Sequence, residues 1–317
     1  MDEKKIVYDF GIDQNFLKHD MQLNQNVIIN GRNAYNNFAA DLIDYAFTAP
    51  EVSKTLYRNL GGNSFNINTF ALGDSFLTLN FYVGGTSLTN AQINVNHLLD
   101  EFTNRVAIVK LDETNFEYEC VIDTHTVEYT GVKCYYQVSI TANAIKRLPL
   151  KTITFKRALA AAGRKLEDGV VNHLRVYNEG VTCSGVKIEL KTNSWYPDYV
   201  VNPCPVDITY KNDKGEDVAL HFEKLFIEGG PDQSTSYLVP GTCFTIDGID
   251  CDVKRYKEFY LGNQEWEKHE ENALLDVNII DFPFFYNGLN EITVAVDSGN
   301  DRMFDEIAIS FYPKFII

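Results

Sequence analysis

Apolar and polar residues alternate along much of this chain with a period of two, the spacing of a half-buried β-strand. In "LTLNFYVGG" the residues Leu77, Leu79, Phe81 and Val83 fall on one face, Thr78, Asn80 and Tyr82 on the other, and Gly84-Gly85 ends the run. The stretches "VAIVKL", "FEYECVI", "HTVEYTG" and "CYYQVSITANA" read as a meander of strands, with Cys120 on an apolar face beside Phe116, Tyr118 and Ile122. One segment changes period. In "TNAQINVNHLLDEFTNRV" the residues Val95, Leu98, Leu99 and Phe102 recur at helical spacing, and Thr89 precedes Gln92 by three, as in a capping box. This predicts a helix near 89–104; a shorter one is expected near 34–47.

From residue 170 onward the pattern is nearly all strand. "HLRVYNEG", "GVKIELKT", "VDITYKND", "VALHFEKLFIEG", "CFTIDGIDCDV", "ITVAVDSG" and "EIAISFY" are short, alternating and bounded by Gly, Asn, Asp or Pro. That spacing predicts an antiparallel β-sandwich with hairpin connections. The expected fold class is therefore mainly β with a minor helical part. Residues 1–150 make a β domain with one packed helix, and residues 151–317 make the sandwich.

Aromatic residues at 13% suit such a strand-rich architecture. Charge adds an exclusion. With 44 acidic against 28 basic residues the chain carries −16, so it repels phosphate backbones unless basic groups segregate. Seven basic residues and no acidic one do gather in "KRLPLKTITFKRALAAAGRK" (146–165), where we place the domain junction and a short Ala-rich helical turn at 157–162. This stretch reads as a solvated linker or as a cationic strip (Lys146, Arg147, Lys151, Arg157) that contacts an acidic neighbouring subunit, with a nucleic-acid contact third because the surrounding field opposes it. "MDEKKIVYDFGIDQN" has no secretory h-region and no segment reaches membrane-spanning length, which points to assembly in the cytoplasm without a membrane. The six cysteines are scattered with no CxxC pair, so free thiols are expected rather than disulfides or zinc.

Candidate chemistry is sparse. His221 and Glu223 share a strand face but are two ligands without a third. "EWEKHEEN" groups Glu267, His269, Glu270 and Glu271 beside Trp266 and reads as a charged exposed loop. "SWYPDYV" sets Trp195, Tyr196, Asp198 and Tyr199 around Pro197, either a sugar-stacking cluster or a proline-forced bend, and Trp266 is a second candidate sugar contact. "GGPDQSTS" (229–236) lacks the lysine and following helix of a phosphate cradle. No nucleophile elbow, P-loop, zincin or dinucleotide motif occurs, so no enzyme, cofactor or metal is expected. "DFPFFYNGLNEITVAVDSG" (281–299) poses one more question, whether its four aromatics form a ligand platform or a structural corner. Pro283 cannot donate a ladder hydrogen bond, which favours a corner leading into Ile292, Val294 and Val296, with Phe282 and one of Phe284 and Phe285 packed inward.

The order of these features resembles the distal tail protein of long-tailed bacteriophages. "SFNINTFALGDSFLTLNFYVGG", "QINVNHLLDEF" and "VAIVKLDETNFEYECVID" are similar to that family's ring-forming domain. "VYNEGVTCSGVKIEL", "GTCFTIDG", "DFPFFYNGLNEITV" and "EIAISFYPKF" are similar to its outer domain, with Phe282, Pro283, Gly288 and Asn290 matching the turn before the penultimate strand. The resemblance implies a homo-hexameric ring of amino-terminal domains with galectin-like sandwiches projecting outward. It also implies partners: tail tube protein, a tail-associated hub or lysin, and receptor-binding or baseplate proteins, with DNA sliding through the lumen unbound. The long lead at 1–30 and the loop-rich 191–205 and 254–275 depart from a minimal member. The competing expectation is a galectin-like carbohydrate-binding module.

Overall fold

The computed structural model describes residues 27–58, 65–111, 115–132, 134–156, 164–166, 171–192, 206–222, 243–262, 265–272, 281–296 and 304–316. The chain is mainly β, with antiparallel sheets, and divides into two units. One comprises Met1–Pro149 with Phe315–Ile317; the other is Leu150–Lys314.

The first unit runs β1 (Ile28–Ile29), β2 (Arg32–Asn33), α1 (Ala34–Phe38), β3 (Ala40–Thr48), β4 (Val52–Arg58), β5 (Phe65–Leu72), β6 (Phe76–Gly84), α2 (Leu88–Thr103), β7 (Ala107–Lys110), β8 (Glu117–Tyr129) and β9 (Tyr135–Arg147). Its main sheet has the order β2-β1-β7-β8-β9-β6-β3, and β4 with β5 forms a separate hairpin. The alternation in β6 does what its period implies. Leu77, Leu79, Phe81 and Val83 are all fully buried and join Val95, Leu98 and Phe102 of α2 in one core. Gly85 lets strand and helix meet, because a Cβ there would stand 2.4 Å from the Ala91 nitrogen.

One predicted helix starts differently from expectation and the other ends early. The Ser87 side chain, not Thr89, accepts the Asn90 N–H at 3.1 Å, and the buried stripe of α2 is Ala91, Val95, Leu98 and Phe102, with Leu99 only half-buried. The 34–47 segment is helical only to Phe38. Asn33 caps it, and Ala39 turns left-handed (φ 49°) with its N–H on the Tyr35 carbonyl at 3.0 Å. The chain then continues as β3, whose backbone groups are satisfied by β6 instead. β8 is also longer than expected: "FEYECVI" and "HTVEYTG" belong to one strand, bent by a bulge between Ile122 and Thr124. At the end of α2, buried Glu101 receives Arg32 and Arg105 at 2.8 Å each and the Asn30 amide at 2.8 Å, which ties the β1–β2 hairpin to the helix. In the same unit Phe315 meets Phe116 edge-on, ring centroids 5.4 Å apart.

The second unit contains β10 (Lys151–Lys156), β11 (Arg164–Lys165), β12 (Val171–Asn178), β13 (Ser184–Thr192), β14 (Val206–Lys211), β15 (Asp217–Phe222), β16 (Cys243–Asp247), β17 (Asp252–Gly262), β18 (Glu265–Asn272), β19 (Phe284–Phe285), β20 (Gly288–Val296) and β21 (Phe304–Phe311). They form a larger sheet in the order β11-β10-β21-β13-β16-β17-β18, with β19 on β13, and a four-stranded sheet β12-β20-β14-β15. Val186, Ile188 and Leu190 of the larger sheet share one core with Leu174, Val176, Ile208, Ile292 and Val294 of the smaller, which makes a sandwich. β17 and β18 correct the loop-rich expectation for 254–275: Asp252–Gly262 and Glu265–Asn272 are paired antiparallel strands, and among the described residues "EWEKHEEN" is the edge strand. An edge strand has one unpaired side, and charges there discourage pairing with another chain, so no apolar alternation marks it. The Ala-rich turn at 157–162 and most of 191–205 lie outside the described residues.

Candidate functional site

The 281–290 segment is a corner, and it walls a cleft. Phe284 and Phe285 pair with Gly185 and Ser184 of β13, and the Pro283 carbonyl accepts the Val186 N–H at 2.9 Å. The approach is too close for side chains: a Cβ on Gly248 would stand 2.4 Å from the Pro283 oxygen, and one on Gly185 would stand 2.1 Å from the Gly248 oxygen. Phe285, 2% exposed, packs edge-on against Phe311 with centroids 5.1 Å apart, while Phe282 is half-buried against the same core. Asn290 closes the turn. Its Oδ1 accepts the Tyr286 N–H at 2.8 Å and its Nδ2 donates to the Tyr286 and Gly288 carbonyls at 2.7 and 3.0 Å, with Gly288 at φ 91°.

Two tyrosines anchor this corner to β14 and the turn after it. Tyr210 Oη donates to the Asp281 carbonyl at 2.7 Å, and burial, with Asp281 adding to it, pushes that phenol far above its ordinary pKa. Tyr286 Oη donates to the Asn212 carbonyl at 2.9 Å, which holds the ring against Gly215. The turn beneath is fixed by buried Asn212, whose Oδ1 accepts the N–H groups of Lys214 and Glu216 at 3.0 and 2.9 Å.

Between this corner and the outer face of the four-stranded sheet lies an open cleft of about 620 Å³. The register orders the sheet face that bears it. Tyr177 stands opposite Leu289, Arg175 opposite Glu291, His173 opposite Thr293, Thr293 opposite Thr209, and Lys211 opposite Asp217. Glu291 accepts from Arg175 Nε and contacts His173 Nδ1, each at 2.8 Å, and Arg175 first, then His173, holds its carboxyl below the usual glutamate range. Lys211 is 3.0 Å from Asp217, and His221 is 2.6 Å from Asp207 on the same face.

The first unit presents a different surface. The segments Ala40–Thr48, Phe76–Gly84, 120–129 and 135–144 are adjacent in the sheet and contain four acids (Asp41, Asp44, Asp123, Glu128) with no lysine or arginine. Beyond the bulge, β8 is exposed on both faces from Asp123 to Tyr129, with Val127 and Tyr129 open to solvent on the side that bears Val138 and Ile140 further in.

The residues singled out from sequence do not converge. Lys146 lies over the Phe116 ring, 4.2 Å from its centroid, and Lys151 pairs with Glu179 at 2.6 Å. Arg147 corrects the cationic-strip expectation: it is buried and faces Glu119 at 2.9 Å and Glu117 at 3.5 Å, so its charge is used inside its own unit. Arg157, Trp195, Tyr196, Asp198, Tyr199 and Glu223 lie outside the described residues, and Trp266 stands in β18 opposite Tyr260. Among the described residues no three His, Cys, Asp or Glu side chains group as a metal site, and no helix is long and apolar enough to cross a membrane. The cleft as a whole escaped sequence reading because its residues come from four strands and two turns; the sequence marked only its aromatic corner, with the Gly288 and Asn290 turn.

No family model matches the chain, and no curated protein does either. Among solved structures the chain is similar to the Dit protein of phage SPP1, described as a paradigm of the hub adsorption apparatus in phages that infect Gram-positive bacteria. That likeness has a TM-score of 0.50 at 12% identity and covers 91% of this chain and 98% of that one. A chain of the phage P2 baseplate in its activated conformation with calcium aligns with a TM-score of 0.48 at 10% identity, over 89% of this chain and 92% of that one. The shared property is the fold, a mainly β architecture matched across nearly the whole length.

Proposed function

We propose that this chain is a structural tail-hub protein of a bacteriophage, a distal tail component that joins tail tube to baseplate or tail tip and carries host-attachment proteins. The observation that supports this most is the full-length likeness to a phage hub protein, which spans both units rather than one common sandwich. The first unit builds a ring from copies of itself, six by the family resemblance, and the second unit is the docking platform for baseplate or receptor-binding proteins. The doubly exposed half of β8 suits burial against another subunit, since paired strands exposed on both faces leave Val127 and Tyr129 in water.

DNA passage suits the four cation-free segments. Walls that carry acids and no lysine or arginine leave a passing phosphate backbone its counterions, so the duplex slides without being bound. The chain is then a virion component, assembled in the host cytoplasm, and it performs no catalysis. Negative-stain microscopy with light scattering on the purified full chain tests the reading. Closed rings of uniform diameter are the expected result. A monomer across the whole concentration range, even with tail tube protein added, rules the hub out.

A further inference from the structure

We propose that the cleft of the second unit is a binding site for a neutral saccharide, with Glu291, Thr209 and Thr293 as its hydrogen-bonding floor and Tyr286 and Leu289 as its apolar wall. The volume of about 620 Å³ lies within the ~300–1,000 Å³ typical of small-ligand sites. Its lining selects the ligand class.

The lining carries one cation, Lys211, against two carboxylates, Asp217 and Glu291, so a phosphate or carboxylate ligand meets a net negative surface. An aliphatic ligand would have to cover two threonine hydroxyls and two carboxylates without hydrogen bonding to them. A polyhydroxylated ring satisfies both conditions. Its hydroxyls donate to the remaining lone pairs of Glu291 and exchange hydrogen bonds with Thr209 and Thr293, while its C–H face lies on the Tyr286 ring and on Leu289, which is 69% exposed.

The site is also built before any ligand arrives. Arg175 and His173 hold the Glu291 carboxylate in place, and Asn212 and Asn290 fix the two turns that carry the Tyr286 ring. Such prior ordering lowers the entropy lost on binding. The site uses none of Trp195, Tyr196 or Trp266, and it stands independently of ring formation, because every residue in it belongs to the second unit.

The test is saturation-transfer NMR and calorimetric titration of the full-length protein. The probes are neutral oligosaccharides of galactose, glucose, rhamnose and N-acetylglucosamine, with glycerol-phosphate oligomers as a charged comparison. Saturable binding of a neutral oligosaccharide is expected. Glu291→Gln should weaken it by about tenfold or more, since it removes a charge-assisted acceptor. Thr293→Val, which keeps the side-chain shape, should weaken it about fivefold. Lys254→Gln, on the outer face of the other sheet, should leave it unchanged. The proposal is overturned by no saturable binding across millimolar concentrations, by binding confined to phosphate-bearing probes, or by binding that a folded Thr293→Val retains in full.

Discussion

Replacing Phe285 with alanine isolates the energetic weight of the aromatic corner. The side chain is 2% exposed, packs among the sandwich core and meets Phe311 edge-on with planes at 67°. Deleting a buried phenylalanine ring costs about 3–5 kcal/mol, and loss of a well-oriented aromatic partner places this site in the upper half of that range, about 4 kcal/mol. The sequence supplies a selective probe: both tryptophans, Trp195 and Trp266, fall within Leu150–Lys314. Tryptophan emission during urea unfolding therefore reports on the second unit. With a slope of about 2 kcal/mol per molar, the emission midpoint should fall by about 2 M. Phe285→Leu retains much of the buried volume and should fall by less than half as much. As a control, Phe102→Ala removes a buried ring from α2 and should move the far-ultraviolet circular dichroism transition while leaving the emission midpoint in place. A Phe285→Ala midpoint within about 0.5 M of wild type refutes the packing argument, because it corresponds to only about 1 kcal/mol. An equal emission shift in Phe102→Ala refutes the assumption that the two units report separately.

Two further outcomes follow from buried groups in the first unit. Arg147→Met leaves Glu117 and Glu119 without their shared cation and should destabilise that unit by about 2 kcal/mol, less than for a fully buried pair because both carboxylates are partly exposed. Changing both glutamates to glutamine in the same variant should recover part of the loss in a circular dichroism melt; a further loss contradicts the pairing. Burial, reinforced by Glu119, pushes the Cys120 thiol up to about 12, so at pH 8 almost none of it is thiolate. A disulfide reagent at that pH should modify exposed Cys183 and Cys251 in the native protein and reach Cys120 only after unfolding; fast labelling of Cys120, mapped by peptide mass, contradicts this.

The parts of the fold that sequence reveals are those where one side chain in two, or one helical stripe, is removed from water. β6 and α2 show this clearly, because Leu77 to Val83 and Val95 to Phe102 face a single core. Legibility fails where burial is not one-sided. β18 is an edge strand rich in charge, so its polar string reads as a loop. The far half of β8 is exposed on both faces, so it reads as a separate strand after the bulge. In 34–47 the helical spacing is overruled by a left-handed Ala39 and by pairing with β6. The cleft fails for another reason. Its chemistry is distributed over Thr209, Lys211, Tyr286, Glu291 and Thr293, which only strand register brings together, whereas the sequence advertises compact clusters such as "SWYPDYV" and "EWEKHEEN".

The polypeptide leaves the first unit after Pro149 and comes back to it at Phe315, so the sandwich is an insert held by two tethers. A proteolytic cut after Pro149 splits the chain into 1–149 and 150–317, and the second fragment then keeps its place in the first unit only through packing such as that of Phe315 on Phe116. Any change in the length of the sandwich must therefore still deliver the chain back to the first unit at Phe315.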